Sequence, residues 1–235
     1  MKIEILFSEV CNQFGDPQNA EYLKQSCPSD TFVYTALDEE PCFASSRPDM
    51  VIMGSMSESI QRKVILKLLP LKKRIEDLID DGVVFLMTGN AADVFCRKID
   101  YVTEKITVDA VGLFDIDVKT DWFKRVNSKV IGDADGNTVT GFRSQFAEYS
   151  GDNSEFCFLK VERGFGFRPG HMYEGMRKKN FIATQLLGPI LPLNPDFCKY
   201  LIDIAGGNGS PAHYELAKEA FDKRVAEFRD PSTEF

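Results

Sequence analysis

The stretch "GVVFLMTGNAADVF", residues 82 to 95, has the outline of a nucleophile elbow. An apolar run from Val83 to Met87 breaks at the small polar turn Thr88-Gly89-Asn90 and then resumes at helical spacing. That is the strand-to-helix bend that lifts one side chain above a sheet toward a substrate. The residue expected at the tip is Thr88, with no Cys or Ser in the turn. A threonine hydroxyl is a poor nucleophile at neutral pH unless a neighbouring base takes its proton.

Other residues with chemical capability are sparse and scattered. Cys11, Cys27, Cys42, Cys96, Cys157 and Cys198 form no C-x-x-C pair, and His171 and His213 are the only histidines. A metal centre needs thiolates or imidazoles at converging spacings, so no metal is expected, and no cofactor motif is visible. The cysteines read as free thiols packed as small apolar residues in a reducing compartment. Cys96 lies eight residues beyond Thr88, about 12 Å along a helix axis, and reads as core rather than as a displaced nucleophile. Gly206, Gly207 and Gly209 precede a helix start where phosphate can bind, but they follow no strand and fit a helix-helix connection. In "RGFGFRPGH", 163 to 171, a turn and strand end competes with an anion contact through Arg163 and Arg168.

Positioning such a site requires a sheet. Apolar runs at 2–7, 31–37, 49–55 and 83–87 alternate with helical patterns at 19–27 and 59–82, the latter interrupted by Pro70. This alternation predicts a three-layer α/β architecture with a mostly parallel sheet, its sites at the carboxyl ends of strands near Ser8, Gly54 and Thr88. The second half predicts added strands, some antiparallel, at 111–118, 128–142 with a turn at Asp135-Gly136, 155–167 and 180–188. A terminal helix is expected with Ser210 as N-cap, Pro211 at N1 and a stripe of Tyr214, Ala217, Phe221, Val225 and Phe228. No linker or repeat divides the chain, which predicts one domain over 1–235.

Composition narrows the partners. With 43% hydrophobic and 27% charged residues the chain matches a soluble globular protein. Its 28 basic against 36 acidic residues give a net charge of -8, which repels nucleic acid and anionic membrane surfaces. The N-terminal apolar run is short and contains Glu4, and no run of apolar residues is long enough to span a membrane. A cytoplasmic location is expected.

Four segments in order carry a resemblance. "ILFSEVCNQFGDPQNAEYLK" holds Asn12, Phe14, Gly15, Asp16, Asn19 and Leu23 where the GatD and CobB/CobQ group of class I glutamine amidotransferases shows N-x-Y-G-D-x-x-N and a following Leu. "DMVIMGSMSESIQ" keeps Asp49, Gly54 and Gln61 of that family's glycine loop, and "AVGLFDIDVKT" and "EGMRKKNFIATQLLGPILPLNP" resemble two further motifs. The resemblance implies a flavodoxin-like class I amidotransferase fold. It also implies a glutamine-hydrolysing Cys in C-G-G-Y-Q and a His in L-H-G-P, positions taken here by Thr88 and Leu187. The glycine loop that would supply an oxyanion N–H reads Gly54-Ser55-Met56, and Asn90, Ala91 and Ala92 replace the residues after the elbow glycine Gly89. Arg143 and Gln145 of "FRSQF" are the expected pocket wall, beside Gly54, Ser55, Met56, Gly89 and Asn90.

Active relatives of this kind act with a Mur-ligase-like or other ATP-dependent synthetase, in cell-wall amidation or cobalamin synthesis. This chain has no P-loop G-x-x-x-x-G-K-[ST] and carries the amidotransferase-like portion alone. Three readings of function follow. One is a subunit without glutaminase activity that binds or scaffolds a synthetase partner, or associates with itself. The others are an active amidotransferase with atypical residues, and a hydrolase or small-ligand-binding protein that reuses the pocket.

Overall fold

Each apolar run of the first half becomes a strand of one sheet. The computed structural model describes residues 1–234. Strands β1 (Lys2–Leu6), β2 (Thr31–Thr35), β3 (Met50–Met53) and β4 (Val84–Thr88) are parallel neighbours in the order β4-β3-β1-β2. Helices α1 (Pro17–Ser26), α2 (Cys42–Ser45), α3 (Glu58–Leu68) and α4 (Lys72–Asp80) make the crossovers. Pro70 divides α3 from α4 through a 3-10 turn, as its missing N–H requires.

The two-residue period of the strands decides which helix each residue meets. Val51, Met53, Phe85 and Met87 pack with Val64, Ile65, Leu68, Ile75, Leu78 and Ile79 on one face. Met50, Ile52, Val84 and Leu86 pack on the other with Ala20 and Leu23 and with a later helix carrying Phe197, Leu201 and Ile202. Because strands buried on both faces must be apolar throughout, Glu4 needs partners. Its carboxylate accepts from Thr35 Oγ1 at 2.7 Å and from the Cys42 and Phe43 N–H groups at 2.6 and 2.9 Å, at the start of α2.

The second half adds strands β5 (Lys98–Tyr101), β6 (Ile106–Asp109), β7 (Asp117–Thr120), β8 (Val126–Ala134), β9 (Asn137–Gln145), β10 (Ala147–Ser150), β11 (Leu159–Arg163), β12 (Tyr173–Glu174), β13 (Met176–Lys178) and β14 (Phe181–Thr184). The last two extend the main sheet beyond β4, β14 parallel and β13 antiparallel. The others form two four-stranded sheets, β10-β7-β5-β6 and β12-β11-β8-β9. The β8–β9 hairpin turns at Asp135 and Gly136, whose φ values of 52° and 87° suit a two-residue mirror-image turn.

Some expected boundaries shift for identifiable reasons. The strand expected over 111–118 is confined to β7, because the N–H groups of Val111, Gly112 and Leu113 bond to the carbonyls of Val94, Cys96 and Phe95. The strand expected over 155–167 is confined to β11. Helices α5 (Ile190–Leu193), α6 (Pro195–Ile204) and α7 (Tyr214–Arg229) close the chain. α7 begins after His213, held left-handed at φ 53°, instead of after Ser210, and only Phe221 and Phe228 of its stripe are buried. Gly207 and Gly209 lie so close to Met1 and Cys27 that neither has room for a Cβ, so this loop packs against the start of β1. Among the described residues no helix is long and apolar enough to cross a membrane.

Candidate active site

The elbow forms where β4 ends, but its tip is one residue later than expected. Thr88 is extended (φ -111°, ψ 148°) and fully buried, and its hydroxyl donates to Asp16 Oδ1 at 2.6 Å. It therefore points beneath the turn. Gly89 is the residue in the left-handed region, at φ 57°, where the chain reverses into a 3-10 helix, Gly89–Phe95, instead of the α-helix the spacing predicts. Left-handed backbone at a bend of this kind favours glycine.

A side chain at the tip has no space. A Cβ built on Gly89 would overlap Ser55 Oγ and stand 3.4 Å from Leu187 Cδ2. The hydroxymethyl group of Ser55 thus fills the volume in which a nucleophile would begin, and Leu187 faces the same point. Asp16 holds this arrangement together. Its Oδ2 accepts from the Ser55 N–H at 2.5 Å, its Oδ1 accepts from Thr88, and Gly54 and Gly188 let its side chain and backbone approach more closely than a Cβ would allow. Burial raises the Asp16 pKa, against the pull of the Thr88 and Ser55 donors. Asn90 completes the closure: its Oδ1 accepts from the Met56 N–H at 2.9 Å and its Nδ2 donates to the Met56 carbonyl at 2.7 Å. Both loop amides, those of Ser55 and Met56, are therefore engaged by acceptors of the protein itself.

Above the elbow lies a cavity of about 230 Å³. Of the expected pocket residues, Met56, Asn90 and Gln145 line it, and Leu187, at the expected base position, joins them. Gly54, Ser55 and Gly89 are not on its wall. Arg143 is a correction as well: it is fully buried behind Gln145. Its guanidinium donates to Gln145 Oε1 at 3.0 and 2.5 Å and to the carbonyls of Phe165 and Gly166. It positions Gln145 and meets no solvent. His171 stacks on Phe167 with centroids 5.8 Å apart, and His213 caps α7, so neither reaches the elbow.

The elbow's own 3-10 helix and the residues packed on it contain groups that sequence reasoning passed over. Asp93 is buried, accepts from Gln185 Nε2 at 2.8 Å and from the Tyr149 hydroxyl on Oδ1, and accepts from Gln61 Nε2 at 3.1 Å on Oδ2. Tyr101 donates to Gln61 Oε1 at 2.8 Å. Although these donors favour the carboxylate, burial outweighs them and pushes the Asp93 pKa up to about 7. Glu174, equally buried, accepts from Thr184 Oγ1 at 2.9 Å and the Gln185 N–H at 2.8 Å, and burial raises its pKa while Arg143 lowers it. Thr120 Oγ1 is buried at the cavity wall without a hydrogen-bond partner among the described residues. The signal for these groups was the acid inside the apolar run "AADVF", a charge that a helix facing a core must pair.

No family profile matches the chain. Among curated proteins, the subunit GatD of lipid II isoglutaminyl synthase (glutamine-hydrolyzing) from Staphylococcus aureus is 25% identical over 201 residues, 84% of this chain and 81% of that protein. The chain is a glutamine amidotransferase-like domain. Solved structures share the fold of this amidotransferase-like domain at low identity. A glutamine amidotransferase aligns at TM-score 0.55 and 14% identity, covering 87% of this chain and 98% of the other. PurLQS from Thermotoga maritima aligns at TM-score 0.55 and 8% identity, covering 95% and 98%. A second glutamine amidotransferase, also from Thermotoga maritima, aligns at TM-score 0.50 and 10% identity, covering 96% and 92%. The amidotransferase-like domain thus keeps the sheet and elbow while its tip carries no side chain.

Proposed function

We propose that this protein is an amidotransferase-like subunit whose glutamine-hydrolysing centre is closed, and that it acts by association with a synthetase-type subunit. The observation that carries this reading is Gly89 at the elbow tip with Ser55 Oγ in the space of the missing side chain. Acyl transfer from glutamine needs a nucleophile, a base and donors aimed at the developing oxyanion. Gly89 supplies no nucleophile, Leu187 accepts no proton, and the Ser55 and Met56 amides are already engaged. Thiols elsewhere do not substitute. Cys11 and Cys96 are buried with their sulfurs 3.8 Å from Met56 Sδ and Met176 Sδ, and burial raises both thiols well above the usual range.

The binding role draws support from the curated relative, which by its name is the subunit of a synthase. A docking face persists independently of the pocket chemistry because the two are different patches. Two measurements test the reading. Purified protein incubated with glutamine is expected to release no ammonia above a protein-free blank, and turnover above that blank would overturn the closed-centre reading. Affinity capture from the source cell, followed by light scattering of the product, is expected to show a stable complex with an ATP-dependent ligase. A strict monomer with no ligase bound would overturn the association.

A further inference from the structure

A second cavity, about 330 Å³, lies on the other side of the Gln145–Ala147 segment and takes no part in the elbow. Its apolar wall is made by Phe146, Phe165, Phe167, Val126 and Pro169. Phe167 is fixed by stacking on Tyr149, with centroids 4.7 Å apart and planes 20° apart, so this wall is preformed. The volume falls in the range of small-molecule sites, which pair an apolar lining with a few placed polar groups.

Charge at this cavity is asymmetric. Lys119, Lys124 and Arg168 line it, against Asp121 and Glu148. Lys119 stands directly across from Glu148 in the β7–β10 pairing, and Lys124 Nζ is 4.0 Å from Asp121 Oδ2. Each carboxylate thus has a lysine as its neighbour. Arg168 is left over: it is exposed, donates to the Tyr149 carbonyl at 3.2 Å, and has no carboxylate partner among the described residues. A turn closed by the His171 N–H to the Arg168 carbonyl at 3.0 Å holds it at the lip. This guanidinium without a carboxylate, beside three phenylalanine rings, defines a complementary ligand. A fork of N–H donors recognises a carboxylate or phosphate, and ring walls recognise a flat aromatic group.

We propose that this cavity binds a planar aromatic molecule carrying one anionic group, with the ring among Phe146, Phe165 and Phe167 and the anion on Arg168. The site does not depend on whether the elbow hydrolyses glutamine. Titration calorimetry with 2-naphthoate, its neutral isostere 2-naphthamide and inorganic phosphate tests it. Naphthoate is expected to bind one to one and roughly tenfold more tightly than either control, the size of one charge-assisted contact. Arg168→Gln is expected to remove that tenfold preference and leave naphthamide binding unchanged, while Phe165→Leu weakens both aromatic probes. Thermal unfolding at the wild-type midpoint establishes that each variant is folded, and amide shifts at Phe165–Arg168 on binding place the probe. Equal affinity for naphthoate and naphthamide, absence of naphthoate binding, or an unchanged preference in Arg168→Gln would each overturn the proposal.

Discussion

The elbow tip and the polar network beside its cavity are built on opposite terms. At the tip, Gly89, Ser55 and Leu187 interlock by shape, with no titratable group. Beside it, Asp93, Gln61, Gln185 and Tyr149 form a buried hydrogen-bonded network, with Arg143 and Glu174 behind it. Steric closure is inexpensive, because a glycine and a serine suffice. A buried polar network is costly unless every member is satisfied. The difference teaches that the steric closure at the tip is local, since the polar network beside it is hydrogen-bonded throughout.

Removing the buried cation behind that network should have the largest effect. Arg143→Leu strands Gln145 Oε1 and the carbonyls of Phe165 and Gly166 and leaves Glu174 without its compensating charge. A loss of about 3–5 kcal/mol is expected, the cost of breaking a buried charged arrangement from one side. Denaturant unfolding measures it, and a loss near zero would mean that the network is not structurally coupled.

The elbow side is broken by adding one carbon. Gly89→Ala forces a Cβ onto Ser55 Oγ at a left-handed position, so a loss of about 2–3 kcal/mol is expected. Ser55→Gly in the same chain relieves the overlap and should recover more than half of the loss, the remainder being the left-handed backbone. The double-mutant cycle reads this coupling directly. Additive losses would show that the two residues do not interlock.

Most of the sheet was legible in the sequence, and most of the site was not. The runs at 2–7, 31–37, 49–55 and 83–87 became β1 to β4 because strands buried on both faces need continuous apolar residues. Pro70 and Asp135-Gly136 acted where backbone chemistry dictates. The elbow tip was misplaced by one residue because Thr88 extends the strand as a β-branched residue, and only the backbone angle at Gly89 reveals the reversal. Arg143 was misread because β9 inverts the usual alternation. Phe142 faces solvent while Arg143 and Gln145 face inward, so the strand pattern gave no sign that the charge was interior. Asp93 was hidden because the partners that satisfy it come from residues 61, 149 and 185.

The polar network also sets a dependence on pH. Asp93 titrates near its ordinary 3.8 when unfolded and at about 7 when folded. Between these values the unfolded chain has released a proton that the folded chain retains, so stability is greatest at the acid end and falls as pH rises through this window. The raised Glu174 and Asp16 carboxyls act in the same direction. The unfolding midpoint of the wild type should therefore drop between pH 5 and 7, and Asp93→Asn, which cannot ionise, should flatten that drop. These are expected outcomes of roughly one to two pKa units of linkage, each worth about 1.4 kcal/mol. A wild-type midpoint that rises over this range would show that Asp93 is held ionised by its three donors.

The smallest expected effect is the most direct test of where the tip lies. Thr88→Cys with Leu187→His installs the two groups that the sequence resemblance implies, yet the thiol would sit in the buried space that the Thr88 hydroxyl now occupies, beside Asp16. It would face a carboxyl with a raised pKa, under the turn and away from the cavity. Ammonia release from glutamine should therefore stay at the blank. The contrasting variant, Gly89→Cys with Ser55→Gly and Leu187→His, starts the new side chain from a Cβ that stands 3.4 Å from where Leu187 Cδ2 now lies, and removes the Ser55 hydroxyl from its path. The Met56 amide remains held by Asn90, so even this variant should turn over far below a preorganised centre, by the 10²–10³ that a single oxyanion donor typically supplies. Hydrolysis by the Thr88→Cys pair, with none by the Gly89→Cys triple variant, would return the tip to residue 88 and remove the steric account of the closed elbow.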